Sequence, residues 1–316
     1  MVTLDDIKAA QKRLTGVTFH TPLIPCPKAA GVEAYFKPES FQPIGSFKIR
    51  GAYNCIAAMP EAQRAQGVIA YSSGNHAQGV AYAARLLGLK AVIVMPHNAP
   101  KVKVEATQGY GAKVVFYDPA TQKREEVAAR LMQGQNWTLV PPFNDPYVIA
   151  GQGTIGLEIY EDLPEVELAL VPVGGGGLLS GVATALKSLK PSIKIIGVEP
   201  ELAADAQESF RSGKIVEITA AQTGRTIADG TRTLSLGNLT FAQIRHYVDD
   251  IITVSEAEIR DAVRRLALNS KLTIEPSGAL PFAAFLHHQP ELPKASKVVM
   301  VLSGGNIEPE LLKELL

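Results

Sequence analysis

Cysteine is nearly absent: Cys26 and Cys55 are the only two in 316 residues. That excludes a disulfide-stapled scaffold. The two have no metal-site spacing either, so a reducing, cytoplasmic setting is expected. An excess of charge of one sign is also missing. Lys and Arg number 31 and Asp and Glu number 31, which argues against nucleic acid or a membrane surface as partner. Residues 1–13 mix charged with apolar side chains and lack a signal-peptide core, so export is not expected. A clean membrane span is missing too. Residues 168–186 carry no charge, but Pro172 and the run Gly174-Gly175-Gly176-Gly177 interrupt them. A strand, a glycine loop and a helix account for them better. Internal repeats, low-complexity tracts and long linkers are absent, so composition marks no domain boundary.

What is present is a globular composition, 46% hydrophobic and 20% charged, long enough for one large or two ordinary domains. Apolar runs over 67–72, 91–95, 113–117, 168–173, 194–198 and 297–302 read as strands. Patterns over 75–87, 101–108, 121–133, 178–189 and 256–269 read as helices. In the first of these helices, Val80, Ala83, Ala84 and Leu87 recur at helical spacing. Strands that are continuously apolar and separated by helices predict an α/β protein whose parallel sheets are covered on both faces. A small unit over residues 55–145, inserted in a larger one made of 1–54 and 146–316, is the expected organisation.

The four glycines lie between a predicted strand and a predicted helix. Without side chains they can turn N–H groups toward an anion, and the helix adds its positive end. A phosphate-bearing ligand is the natural reading; a purely structural turn is the weaker one, given the entropic cost of four glycines. Gly175, Gly177 and Gly181, with Glu199 ending the next strand, also leave a nicotinamide dinucleotide open.

Gly45-Ser46-Phe47-Lys48-Ile49-Arg50-Gly51 sets one lysine among apolar residues. Ser46 is expected to cap a helix with Ile49, Tyr53 and Ile56 on its apolar face. Lys48 then sits in the first turn, where the helix dipole and burial both disfavour the ammonium form and leave a nucleophile for carbonyls. Taken alone, the segment is better explained as an ordinary lysine that snorkels to solvent from a helix start. Ser72-Ser73-Gly74-Asn75-His76 and Ser303-Gly304-Gly305-Asn306 each follow a predicted strand. That is where open α/β sheets hold ligands, although helix capping or a plain turn would also explain them.

Together with Ala150-Gly-Gln-Gly-Thr-Ile and Glu275-Pro-Ser-Gly-Ala, this ordered set resembles the pyridoxal-phosphate enzymes of the serine/threonine dehydratase and serine racemase family across nearly the whole chain. The resemblance implies two open, twisted, mainly parallel sheets with the cofactor in the cleft between them. It implies that Lys48 bonds the cofactor and then acts as base at Cα. Phe47 would pack on the cofactor ring, Asn75 would meet its hydroxyl, Gly174, Gly175, Gly176 and Gly177 its phosphate, and Ser303 its pyridine nitrogen. The implied substrate side comprises Ser72, Ser73, His76, Asn144, Arg124 and Thr233. A serine at the ring nitrogen does not enforce a pyridinium, which favours loss of a β-leaving group. L-threonine or L-serine would then yield a 2-oxo acid and ammonia.

Ser73 leans toward racemases, which need a proton donor on the face opposite Lys48. Arg124 leans toward racemases or toward 3-hydroxyaspartate dehydratases, although its neighbours Lys123, Glu125, Glu126 and Arg130 also read as a solvated helix face. Glu199, the carbonyl of Ala203 and Asp205 resemble the family's site for Mg²⁺, Mn²⁺ or Ca²⁺, whose hard oxygen ligands suit such ions. A homodimer is implied, and Lys113 and Tyr117 are compatible with a nucleotide effector. Two departures stand out: Ile44 in place of the usual Thr or Ser, and Thr233 where racemases often have Ser. With no regulatory segment after Leu316, feedback of the biosynthetic type is not expected.

Overall fold

Ten strands divide between two sheets in the computed structural model, which describes residues 1–27, 31–99 and 101–316. They are β1 (Ile24–Pro25), β2 (Glu33–Pro38), β3 (Val68–Tyr71), β4 (Ala91–Pro96), β5 (Lys113–Tyr117), β6 (Thr138–Leu139), β7 (Leu168–Pro172), β8 (Lys194–Pro200), β9 (Asp250–Val254) and β10 (Lys297–Leu302). The larger sheet has the order β1-β2-β10-β7-β8-β9, and the smaller β5-β4-β3-β6. All pairings are parallel except the edge pair β1 and β2.

Both faces of each sheet are covered, which explains the unbroken apolar runs. Side chains alternate along β7. Leu168 and Leu170 join a core with Phe36, Val198, Ile252 and the helices Glu256–Ser270 and Pro276–His287. Ala169 and Val171 join another with Val299, Val301 and the helices Pro146–Asp162 and Gly177–Leu189. In the smaller sheet Val68, Ala70, Ile93 and Met95 face one cluster, while Ile69, Val92 and Val94 face the other. The edge strand β5 is wet on one side, with Phe116 exposed, as an edge permits.

The predicted strands and helices all form, with ends moved by a few residues. One helix is shorter than its pattern suggests, starting at Arg124 rather than at 121. Asp118 causes this: its carboxylate accepts from the Ala120 N–H and the Thr121 hydroxyl, closing a turn in place of the first helical turn. Ser46 does not cap the helix Lys48–Ala58. Phe47 occupies the cap position with no side-chain hydrogen bond, and the buried Ser46 hydroxyl has no partner among the described residues. The Ser46 backbone bridges to Gly304 instead, so this segment is fixed by the end of β10.

The helices Lys48–Ala58 and Pro146–Asp162 pack at very short range. A Cβ on Gly151 would stand 2.5 Å from the carbonyl oxygen of Arg50, so only glycine fits there. Gly51 also donates its N–H to the Gln152 side chain. These two helices carry the chain out of and back into the larger sheet's layer.

Candidate active site

A cavity of about 360 Å³ lies where the C-terminal ends of β3, β7 and β10 converge. In parallel sheets that end is open, because the chain turns there from strand to helix and leaves N–H groups free. Ser72, Ser73, Asn75 and His76 reach it from the turn after β3, Gly174 to Gly177 from the turn after β7, and Ser303 from the end of β10. Phe47, Lys48, Arg124 and Thr233 line it as well.

Lys48 Nζ donates to the Pro142 carbonyl oxygen at 2.9 Å and lies 5.2 Å from the centre of the Phe47 ring. Burial pulls its pKa down to about 8, against a partial opposing pull from Glu275. A substantial neutral fraction near neutral pH makes this amine a nucleophile for a carbonyl. The helix Gly177–Leu189 begins at Gly176, at φ 90° and with no side-chain cap. Its first N–H groups are therefore open to an anion. A side chain on Gly175 would come within 2.3 Å of the Phe143 ring, so the loop has no room for one.

Asn75 is held from two sides: its Nδ2 donates to Glu275 at 2.7 Å, and its Oδ1 accepts from Asn306 at 2.8 Å. His76 Nε2 meets the Val140 carbonyl at 2.9 Å. Burial and the nearby Lys48 push its pKa down to about 3, which keeps it neutral. The backbone carbonyl of Ser303 accepts from the Phe47 N–H at 3.1 Å, tying β10 to the lysine segment. The Arg124 guanidinium stacks 5.2 Å from the Tyr71 ring and pairs with Glu125 at 2.8 Å, so this residue of an otherwise solvated helix face borders the cavity. The Thr233 hydroxyl is buried with no partner among the described residues.

Asn144 is not among the lining residues; its Oδ1 accepts from the Leu239 N–H at 2.9 Å and ties down the helix Asn238–Tyr247. Glu199, Ala203 and Asp205 also lie outside the cavity lining, clustered between β8 and the helix Asp205–Ser212. The Glu199 carboxylate accepts the N–H groups of Ala206 and Gln207. These bonds hold it against its own neighbouring helix, away from the cavity that the glycine loop lines. Both oxygens of Asp205 are buried without a partner among the described residues. Burial pushes Asp205 up to about 7, and burial plus the charge of Asp205 pushes Glu199 well up. The two unpartnered oxygens of Asp205, with the Glu199 carboxylate and a backbone carbonyl such as that of Ala203 beside them, fit a hard divalent cation. Among the described residues no cluster of three His, Cys, Asp or Glu side chains exists to hold a metal.

The sequence reading missed several residues of the cavity. Lys103, in the helix Lys101–Gly109, pairs there with Asp229 and so ties the smaller sheet's layer to the larger. Nothing in its helical pattern marked it. Glu275 belonged to a motif already noticed but received no role. Burial and Asp229 hold its carboxyl above the usual range. Gln152 borders both the cavity and the close helix pair.

Pyridoxal phosphate demands a reactive amine, an anion cradle and partners for its ring. Lys48, the uncapped glycine loop, and Asn75 with Ser303 offer these in one cavity, so the residues fit the group. Comparison with known proteins points the same way. The chain is 46% identical to an L-threo-3-hydroxyaspartate ammonia-lyase of Saccharomyces cerevisiae, over 97% of this chain and 94% of that one. It is 45% identical to an L-threonine ammonia-lyase of Thermotoga maritima, over 100% and 78%. The solved structure of maize serine racemase superposes with a TM-score of 0.94 at 40% identity, covering 99% and 96%. Residues 14–304 match the family described as "Pyridoxal-phosphate dependent enzyme". The chain belongs to that family.

Proposed function

We propose that the protein is an ammonia-lyase that converts L-threonine, L-serine or a similar β-hydroxy amino acid to a 2-oxo acid and ammonia. The observation that carries this reading is a buried lysine with a lowered pKa, Lys48, sharing one cavity with an uncapped glycine loop. When bound, pyridoxal phosphate supplies the electron sink that labilises the groups on Cα. Gly174 to Gly177 hold the phosphate through N–H groups and the helix end. Phe47 would pack on the ring, Ser303 would meet its nitrogen and Asn75 its hydroxyl. Ser72, Ser73 and His76 receive the substrate carboxylate, with Thr233 beyond it. Lys48 Nζ would take the Cα proton and return it to the β-hydroxyl, which would then leave as water, and the released enamine would hydrolyse to the oxo acid and ammonia.

Two variants of this chemistry rest on particular residues. Ser73 lines the same cavity as Lys48, and a hydroxyl facing the opposite side of Cα would return a proton there and racemise serine. Arg124, held by Tyr71, offers a cation to a second carboxylate and so favours 3-hydroxyaspartate. The further parts of the reading are a divalent cation at Glu199, Asp205 and the Ala203 carbonyl, and a homodimer. The dimer draws support from Phe19 and Phe41, both exposed and joined through Gln42, which bonds the Phe19 backbone twice. Lys113 and Tyr117 stand on one face of the edge strand β5, where a nucleotide effector could sit. A small domain over 55–145 agrees with the contiguous smaller sheet, although the boundary at 54/55 cuts the helix Lys48–Ala58. Cysteine usage favours the cytoplasm. Among the described residues no helix is long and apolar enough to cross a membrane.

The test is a visible spectrum of the protein with pyridoxal phosphate, then assays with L-threonine, L-serine and threo-3-hydroxyaspartate. We expect a yellow protein that releases oxo acid and ammonia, and a Lys48→Ala variant that does neither. D-serine formed faster than pyruvate would move the assignment to a racemase. A protein that stays colourless would overturn the reading.

A further inference from the structure

Arg50 is 1% exposed and lies two residues beyond Lys48, in the first turn of the same helix. Its guanidinium spends every N–H. Nε and Nη2 donate to Glu39 at 2.7 and 2.8 Å. Nη1 and Nη2 donate to Glu158 at 2.5 and 3.0 Å, with Thr154 Oγ1 and the Phe19 carbonyl completing the shell at 3.1 Å each. Lys37 closes the group from the other side, pairing with Glu158 at 2.7 Å. Two buried cations thus face two buried acids; a third acid, the half-buried Asp162, stands 3.9 Å from Lys37 at the edge of the group, where His20 also meets it.

Glu39 follows the end of β2, and Glu158 belongs to the long helix Pro146–Asp162, so Arg50 is fixed to the larger sheet and to its covering helix. The helix that carries Lys48 has no side-chain cap: the end of β10 holds the backbone at Ser46 and Phe47, before the helix, and Arg50 is the side chain of the first turn itself that is held. Two residues correspond to about 200° around a helix. Lys48 and Arg50 therefore point to nearly opposite sides, and pinning one sets the direction of the other. A small rotation of this turn would carry Nζ sideways, and a displacement of about 1 Å can cost on the order of a hundredfold in rate.

We propose that Arg50 is a positioning residue: clamped between Glu39 and Glu158, it fixes the rotation of the uncapped helix start and so aims Lys48 into the cavity. This rests on the reading of Lys48 as the reacting amine. It acts on geometry rather than on the charge of Lys48, because Glu39 and Glu158 meet the charge of Arg50.

The experiment compares Arg50→Lys, Arg50→Gln and the double variant Arg50→Gln/Glu39→Gln with the wild type and with Lys48→Ala. The readouts are melting temperature, kcat and KM of the cofactor-loaded enzyme with L-threonine, and the rate at which an acylating reagent labels Lys48 in cofactor-free protein. Arg50→Gln leaves an acid unbalanced and should lower the melting temperature. The double variant restores the balance, leaving Lys37 with Glu158, and should recover the melting temperature. If Arg50 aims Lys48, kcat in the double variant stays about tenfold or more below wild type with KM little changed, and Lys48 labelling differs from wild type. Arg50→Lys, which keeps the charge but loses the fork, should show the same split. Recovery of kcat along with stability in the double variant would make Arg50 a structural residue only and sink the proposal. If the double variant does not fold, full kcat in Arg50→Lys does the same. Unchanged activity in Lys48→Ala would instead overturn the functional reading beneath it.

Discussion

A lysine held near pH 8 gives the chemistry a pH signature that begins before any substrate is bound. Only the neutral amine attacks a carbonyl, so the rate at which cofactor-free protein captures pyridoxal phosphate should rise with pH through about 8 and then level off. An ordinary lysine would still be rising at pH 10. The linked effect on stability has a definite sign. The folded pKa lies below the unfolded one, so the unfolded chain binds more protons between the two values. This group's contribution to stability should therefore increase as pH rises from about 8 toward 10.5, and its cost is fully present below 8. Stopped-flow absorbance and urea titrations across that range measure the two effects. His76, pushed down to about 3, should stay neutral and leave no step of its own in profiles between pH 6 and 9.

At the scale of elements, the turn after β7 carries the sharpest demand on sequence. Gly176 sits at φ 90°, and a Cβ there would stand 2.9 Å from Ile244 and Thr240. Gly176→Ala should cost roughly 1–3 kcal/mol in urea unfolding, and it should weaken pyridoxal phosphate binding because the N–H groups of the loop lose their aim. The loop's place between a strand and a helix was legible in the sequence, although its glycines also left a dinucleotide open there. So were β3 and β4, whose unbroken apolar runs are buried on both faces, and the helix Asn75–Leu86, on which Val80, Ala83 and Ala84 are buried. The helix Pro146–Asp162 was not, because it is buried nearly all round and shows little helical stripe. Lys103 escaped for a different reason. Its partner Asp229 is 126 residues away, and no local pattern announces an ion pair made across the fold. Asn144 was carried over by resemblance alone; its hydrogen bond to Leu239 could not be read from spacing.

For the whole molecule, the buried acids Glu199 and Asp205 make stability depend on what lies outside the cavity. If a divalent cation holds them, Mg²⁺, Mn²⁺ or Ca²⁺ should raise the melting temperature by several degrees and a chelator should reverse it. Asp205→Asn should remove the response while leaving the cofactor's yellow colour intact. A calorimetric scan with and without each ion decides this.

The topology also orders events in time. Among the described residues β10 is the last strand in the order of the chain, yet it sits in the middle of the larger sheet, between β2 and β7, and Ser303 follows it directly into the cavity. The smaller sheet, built from residues 68–139, is complete long before. A chain still emerging from the ribosome can thus close its smaller sheet early, while β2 and β7 wait with open edges, the condition under which strands pair wrongly with neighbouring chains. Ser303 reaches the cavity only once β10 slots in between its neighbours, so the lining stays incomplete until then.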